Sequence, residues 1–442
     1  MYQGLLKAAV AKAAVAILLL SSIATHAQAD TIAGYGARTP AIAIDPTLDR
    51  GLAVYEHGGR IYGTFVDNAG RRVAGSEFLV FPLSPTSNSK YKDPVIVFKS
   101  QQRRFYIAAR QSYPSRFNLP DGPLVIDTAD GIAVTAYDAF GTRIATRTLY
   151  TPGFLRNPFT TDAEARPVIV VDWFANNTCC VVVGWEDVRA PGQLHLARHG
   201  AELGLLSGDP RSLAISAGRV SNLSASYDTS RDRFLFAYDA CTTAGYKCAP
   251  KILSFARTTG AIGAITYSSL STRPGSAGEP SYPSIAWVPV GNQHVVAWNW
   301  RTNPLPGVPA GRGTAVTKVS FVFGTPGDMS AMAPLWDARP GSAVALQGPA
   351  HVVALGSTPR AMIIAPTAPG AAGQHLAGYV FDVPSFSMIA ARRFSMDASD
   401  IPFGRGGYLP ASGGRVMATW QHDILVPPYD AGVWAFPVTL PP

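Results

Sequence analysis

Residues 38–81, RTPAIAIDPTLDRGLAVYEHGGRIYGTFVDNAGRRVAGSEFLVF, decide the fold. AIAI, LAVYE, RIYGTFV and SEFLVF are short runs rich in Val, Ile, Tyr and Phe, the residues that suit a pleated, half-buried surface. DPTLDRG, HGG and DNAGRR separate them with the Gly, Asn, Asp and Pro content of tight turns. The stretch therefore reads as one four-stranded antiparallel meander.

Six further segments line up with it. The first strand opens at Pro40, Pro94, Pro167, Leu223, Pro283, Pro349 and Arg405. The second ends in a short motif in which an aromatic commonly precedes a polar residue. These motifs are Tyr55-Glu56, Ala109-Arg110, Trp185-Glu186, Tyr238-Asp239, Trp298-Asn299, Ala365-Pro366 and Trp420-Gln421. Marker and motif lie 15 residues apart in five of the seven units, and 18 and 16 apart in the other two. Successive markers are 54, 73, 56, 60, 66 and 56 residues apart, as recurring strands with loops of unequal length would give. Sheets of this kind bury their faces only against their neighbours, so the repeat predicts an all-β, seven-bladed β-propeller of four-stranded antiparallel blades. The last unit ends without room for a fourth strand, and residues 30–38, DTIAGYGAR, are left over. They are expected to supply that strand and close the ring.

The pattern P-x-I-A-x-D, L-V-x-W/Y-E, I-x-G-x-x-V-D-x-x-G, F resembles a repeat of secreted bacterial β-propeller proteins. Pro40, Asp45, Tyr55, Glu56, Ile61, Gly63, Asp67, Gly70 and Phe78 carry it best. The resemblance covers residues 30–442, weakly in the second, sixth and seventh units. It implies a fold and no reaction, since the architecture hosts many activities.

Before this domain, residues 1–29 combine Lys7 and Lys12, the apolar AAVAILLL and a small-residue site at Ala27-Gln28-Ala29, the marks of a secretory signal. The apolar core is shorter than the roughly 20 residues a membrane span needs. The expected location is secreted or periplasmic. Setting the segment aside removes two lysines and no acids, so the net charge of +8 becomes +6. No basic run or nucleic-acid motif accompanies it, which argues against a nucleic-acid partner. The expected state is a monomer without a membrane span.

All four cysteines follow the signal segment. Cys241 and Cys248 flank TTAGYK, where a local disulfide would pin a loop. Cys179 and Cys180 are adjacent, as either a vicinal disulfide or, the plainer reading, two core thiols. Sequence leaves pairing between the two sets open.

The loops between second and third strands share a face with the links between units. They are long in unit two (RQSYPSRFNLPDGPLVIDTADG), unit five (NWRTNPLPGVPAGRGTA) and unit seven (QHDILVPPYDAG). That face is the expected working face. Glu56, Glu186 and Asp239 sit there at a repeat position, and are best read as strand caps or partners of arginine. Arg110, Trp300, Arg301, Asp423 and His57 are candidate ligand-binding residues, and His422 and Tyr429 candidate catalytic ones. No H-E-x-x-H, C-x-x-C, EF-hand or G-x-S-x-G pattern occurs, so no metal or cofactor is expected. The paired acids Asp45/Asp49 and Asp228/Asp232 belong to equivalent turns, where Asp satisfies backbone donors.

Two readings of function follow. In the first the protein is an exported binding or interaction module for a carbohydrate or other polar ligand. In the second it is a lyase-like enzyme on an anionic polysaccharide, with His422 as base, Tyr429 as acid, and Arg110 and Arg301 holding the substrate carboxylate.

Overall fold

The computed structural model describes residues 30–440 except 35, 83–88, 120–121, 151–165, 174–178, 187–191, 215–217, 242–247, 264–281, 303–310, 322–328, 332–335, 338–349, 367–375, 386, 395–403, 410–413 and 423–431; some strand side chains are also left undescribed. Within these bounds the chain is an all-β, propeller-like array of antiparallel sheets. No helix among the described residues is long and apolar enough to cross a membrane.

Each sheet starts with a first, inner strand. These are Arg38–Asp45, Lys90–Lys99, Val168–Val171, Val220–Asp228, Ser284–Val288, His351–Ala354 and Gly404–Leu409. Successive inner strands are neighbours in space, and the last also contacts the first. Side chains alternate across each sheet and bury against both adjoining sheets. Phe105 and Ile107 pack towards Leu52 and Phe65 of the first sheet. Tyr106 and Ala108, one residue out of phase, pack towards Val183 and Trp185 of the third. Each large buried side chain contributes about 1.5–3 kcal/mol. The fourth and fifth sheets are joined differently. Ile285 and Trp287 donate their backbone N–H groups to the hydroxyls of Ser224 (3.2 Å) and Ser226 (2.8 Å).

The expected seven-bladed propeller of four-stranded blades is corrected to roughly six such blades among the described residues. Six sheets carry four or more strands, one of them five. The sheet formed by Val220–Asp228, Arg233–Cys241 and Cys248–Ala256 has three. Among the described residues, which leave out 264–281, pairing past its third strand is the single bridge Phe255–Ile262. The expected closure of the ring by the N-terminal residues 30–38 is corrected too. Only Asp30–Ala33 lies beside Gly432–Thr439, through three paired positions interrupted by a bulge. The chain turns where the Ala37 N–H meets the Gly34 carbonyl at 3.2 Å, and Arg38 already opens the first inner strand. First and last sheets meet chiefly face to face, with Ile42 and Ile44 against Leu409 and Met417. A Cβ on Gly407 would lie 2.6 Å from Ile44 Cγ1, so glycine is what permits this approach.

The long stretch in unit two is no free loop. Arg104–Leu119 and Gly122–Asp138 continue their ladder out to Leu119 opposite Gly122. Gln293–Thr302 and Gly311–Phe321 of unit five likewise stay paired to Thr302 opposite Gly311. At the turns between first and second strands, Asp45 accepts from the Thr47 and Leu48 N–H groups at 2.9 and 3.3 Å. Asp228 accepts from Ser230 and Arg231 at 2.9 and 3.2 Å. These acids serve their turns, as their spacing implies.

Cys241 and Cys248 face each other on adjacent strands and are joined by a disulfide. Cys179 and Cys180 are also joined, which replaces the two free core thiols favoured from sequence.

Candidate functional site at the channel mouth

The inner strands line a central channel of about 400 Å³. At the end where they begin, it opens into a smaller cavity of about 80 Å³. The residue just before the strand marker lines this mouth in five units: Thr39, Asp93, Arg166, Asn222 and Tyr282. His351 and Arg405 stand where the mouth passes into the channel.

Four of these residues hold the left-handed backbone conformation that side chains disfavour, with φ of 45° at Thr39, 53° at Asp93, 55° at Asn222 and 46° at Tyr282. Such a residue costs about 1–3 kcal/mol unless its surroundings compel it. Three of the four also precede proline. What compels Thr39, Asp93 and Tyr282 is a bond between sheets. The Thr39 N–H donates to Gln421 Oε1 at 3.2 Å, and the Tyr282 N–H to Asp239 Oδ2 at 3.1 Å. The Asp93 N–H donates to the Glu56 carboxylate. In each case the acceptor is the polar residue that ends the second strand of the preceding sheet. Bulges at Arg38/Ala41, Lys92/Val95 and Ser221/Ser224 accompany the kinked backbone. The recurring Glu, Asp or Gln is thus a staple between sheets. Glu186 takes the other role expected of this position, pairing with Arg219 at 3.4 Å.

The charges in the mouth are unequal. Arg166 Nε lies 3.5 Å from Asp93 Oδ1. Arg405 has no carboxylate within ion-pair distance among the described residues. Burial, and then the like charge of Arg166, push its guanidinium down to about 10, with Asp93 opposing the shift. His351 Nε2 lies 3.2 Å from the Gly406 carbonyl, which assigns the proton to that nitrogen. Burial, and then Arg405, push His351 down to about 3, so it is neutral at ordinary pH. A group so weakly basic is a poor general base but a sound hydrogen-bonding partner. The residues lining the mouth include two arginines and one carboxylate, and guanidinium is the side chain best matched to a carboxylate.

The residues singled out from sequence are distributed otherwise. His57 is exposed beside the first sheet's HGG turn, edge-on to Tyr62 at 6.3 Å between ring centroids. Arg110 is buried, 5 % exposed, opposite Lys92 and Ile132 on the sheet face turned towards the third sheet. Neither lines the mouth. Trp300 and Arg301 pair through their backbones with Gly313 and Arg312, and His422 with Gly432; their side chains lie outside the described residues. Asp423 and Tyr429 lie outside them altogether. The mouth residues went unnoticed in sequence although a positional signal exists. They sit one place before the markers that define the repeat.

No protein-family model matches the sequence, and no curated protein matches it. Solved structures do match, at low identity. An α-L-arabinofuranosidase from Fusarium graminearum is 9 % identical over 81 % of this chain and 97 % of its own, with a TM-score of 0.46. An intramolecular trans-sialidase from Ruminococcus gnavus is 10 % identical over 94 % and 96 %, at 0.43. A subtype N10 neuraminidase-like protein of A/little yellow-shouldered bat/Guatemala/060/2010 is 9 % identical over 92 % and 94 %, also at 0.43. Likeness this distant carries no inference about activity.

Proposed function

We propose that the channel mouth binds the carboxylate of an acidic saccharide, in a single domain that follows an export signal. The observation that carries this reading is Arg405, a half-buried cation at the centre of the ring with no carboxylate partner among the described residues. Arg166, held by Asp93, stands beside it as a second donor. Asn222, Tyr282 and His351 supply the neutral polar groups that a sugar ring requires.

A second reading, a polysaccharide-active enzyme at the same mouth, is favoured by the strained backbone of Asp93 and Tyr282. Both carry proton-active side chains, and strain of this kind gathers at active sites. One set of measurements separates the two. Calorimetry with uronic-acid oligosaccharides should show binding that their neutral counterparts lack, and Arg405→Ala should weaken it at least tenfold. Equal binding of neutral and acidic sugars would remove the proposal. Release of unsaturated ends or reducing ends, lost in Tyr282→Phe while binding persists, would select the catalytic reading.

A further inference from the structure

At the opposite end of the channel lies a second cluster that the mouth does not use. Asp172 follows the third inner strand, and Cys179 and Cys180 precede the strand after it. Their three potential ligand atoms lie within 4.8 Å of one another, and all three residues are buried. From these residues we infer that, once the cysteine pair is reduced, Asp172, Cys179 and Cys180 bind a thiophilic divalent cation of the zinc class.

The donor set is the first argument. Two thiolates and a carboxylate suit such an ion and leave a fourth position open. A disulfide offers no thiolate, so the joined form is closed to the ion. Orientation is the second. The Asp172 N–H donates to the Cys180 carbonyl at 3.2 Å. Lys99 Nζ donates to Asp172 Oδ1 at 2.5 Å and to the Cys179 carbonyl at 3.0 Å. Arg257 Nη1 approaches Asp172 Oδ2 at 3.5 Å. Outer partners of this kind fix the ligands of a metal site before the ion arrives.

Charge is the third argument. In the oxidised protein Lys99 and Arg257 balance the carboxylates of Asp172 and Asp232. Two thiolates and a dication leave that balance unchanged, and the two cations favour the thiolates that the ion needs. The residue next to the cluster is exposed: Trp173, beside Asp172, is 52 % exposed and lines the channel.

Reduction by a phosphine breaks the S–S bond. The phosphorus is oxidised, taking its oxygen from water, and the two hydrogens of that water end on the two sulfurs. Binding of the ion then releases those two protons to solvent.

Cadmium alone serves as the probe, because cadmium–thiolate bonds absorb in the ultraviolet. The full chain, reduced and then titrated with Cd²⁺, should bind one ion at this site and release two protons, whereas the oxidised chain binds none here. The band should survive C241S/C248S and vanish with Cys180→Ser, and Asp172→Asn should weaken binding at least tenfold. A band that follows Cys241 and Cys248 instead, or no band in the reduced chain, overturns the inference. Should Cys180→Ser fail to fold, reoxidation of the natural chain decides. Expulsion of the ion supports the site, and retention after both thiols are consumed sinks it.

Discussion

The two ends of the channel handle charge in opposite ways. At the far end Lys99 and Asp172 are 1 % and 0 % exposed and bonded to each other. Arg257 joins Asp172 to Asp232, and Tyr227 donates to Asp232 at 2.6 Å. The network ties the second, third and fourth sheets together. At the mouth Arg405 lacks a carboxylate partner among the described residues, and the backbone around it is strained. Paired buried charges hold sheets in place; an under-compensated charge on a compelled backbone is suited to meeting a ligand.

The largest contrast should come from removing one cation at each end. Lys99→Met leaves Asp172 in the interior with only the more distant Arg257, and breaking a buried pair costs about 3–5 kcal/mol. Arg405→Met should leave stability within about 0.5 kcal/mol, or raise it, while reducing affinity for an acidic sugar. Urea unfolding of the two variants is the measurement. Equal losses would erase the distinction between the ends.

Acid should sharpen the comparison next. Burial lowers His294 and His351 to about 3 and His199 to about 4, all below the ordinary value of about 6.5. Charged neighbours adjust this: Asp228 and Arg231 at His294, Arg405 at His351, and Arg147 at His199. The unfolded chain binds the protons first, so these groups favour the fold above pH 6.5 and that stability is lost as pH falls towards the folded values. At pH 5 each costs about 2 kcal/mol relative to neutrality. His294→Phe should flatten part of this slope without touching the mouth, as unfolding followed from pH 7 to pH 4.5 would show.

Much of the fold was legible because its determinants are local. Alternating Val and Ile mark the strands, and Asp45, Asp228 and their kin mark turns they bond themselves. Sequence reads Glu56, Glu186 and Asp239 as strand caps or arginine partners. Glu186 pairs with Arg219, while Glu56 and Asp239, like Gln421, accept from backbone N–H groups of the next sheet. The site was harder to see because its determinants are not local. A residue before proline is expected to be extended, yet Thr39, Asp93 and Tyr282 are turned left-handed by acceptors on another sheet. The Thr39 acceptor, Gln421, lies 382 residues away. Arg110 shows the converse. It broke the repeat and invited a functional role, but its strand carries it onto a face between sheets.

The smallest predicted effect tests the strain itself. Thr39 is β-branched, holds φ at 45°, and buries a hydroxyl with no hydrogen-bond partner among the described residues. Thr39→Gly removes a left-handed penalty of about 1–2 kcal/mol and the cost of that hydroxyl. It adds the entropy of a freer unfolded chain, about 0.5–1 kcal/mol. The balance is a gain of about 1 kcal/mol, visible as a higher urea midpoint at unchanged slope. The Thr39 N–H to Gln421 bond survives the substitution, because only the side chain is lost. If the mouth is held strained in order to bind, the stabilised variant should bind an acidic oligosaccharide no better than the natural chain. A loss of stability on Thr39→Gly would mean that the left-handed conformation is no burden, and the contrast between the two ends would then rest on charge alone.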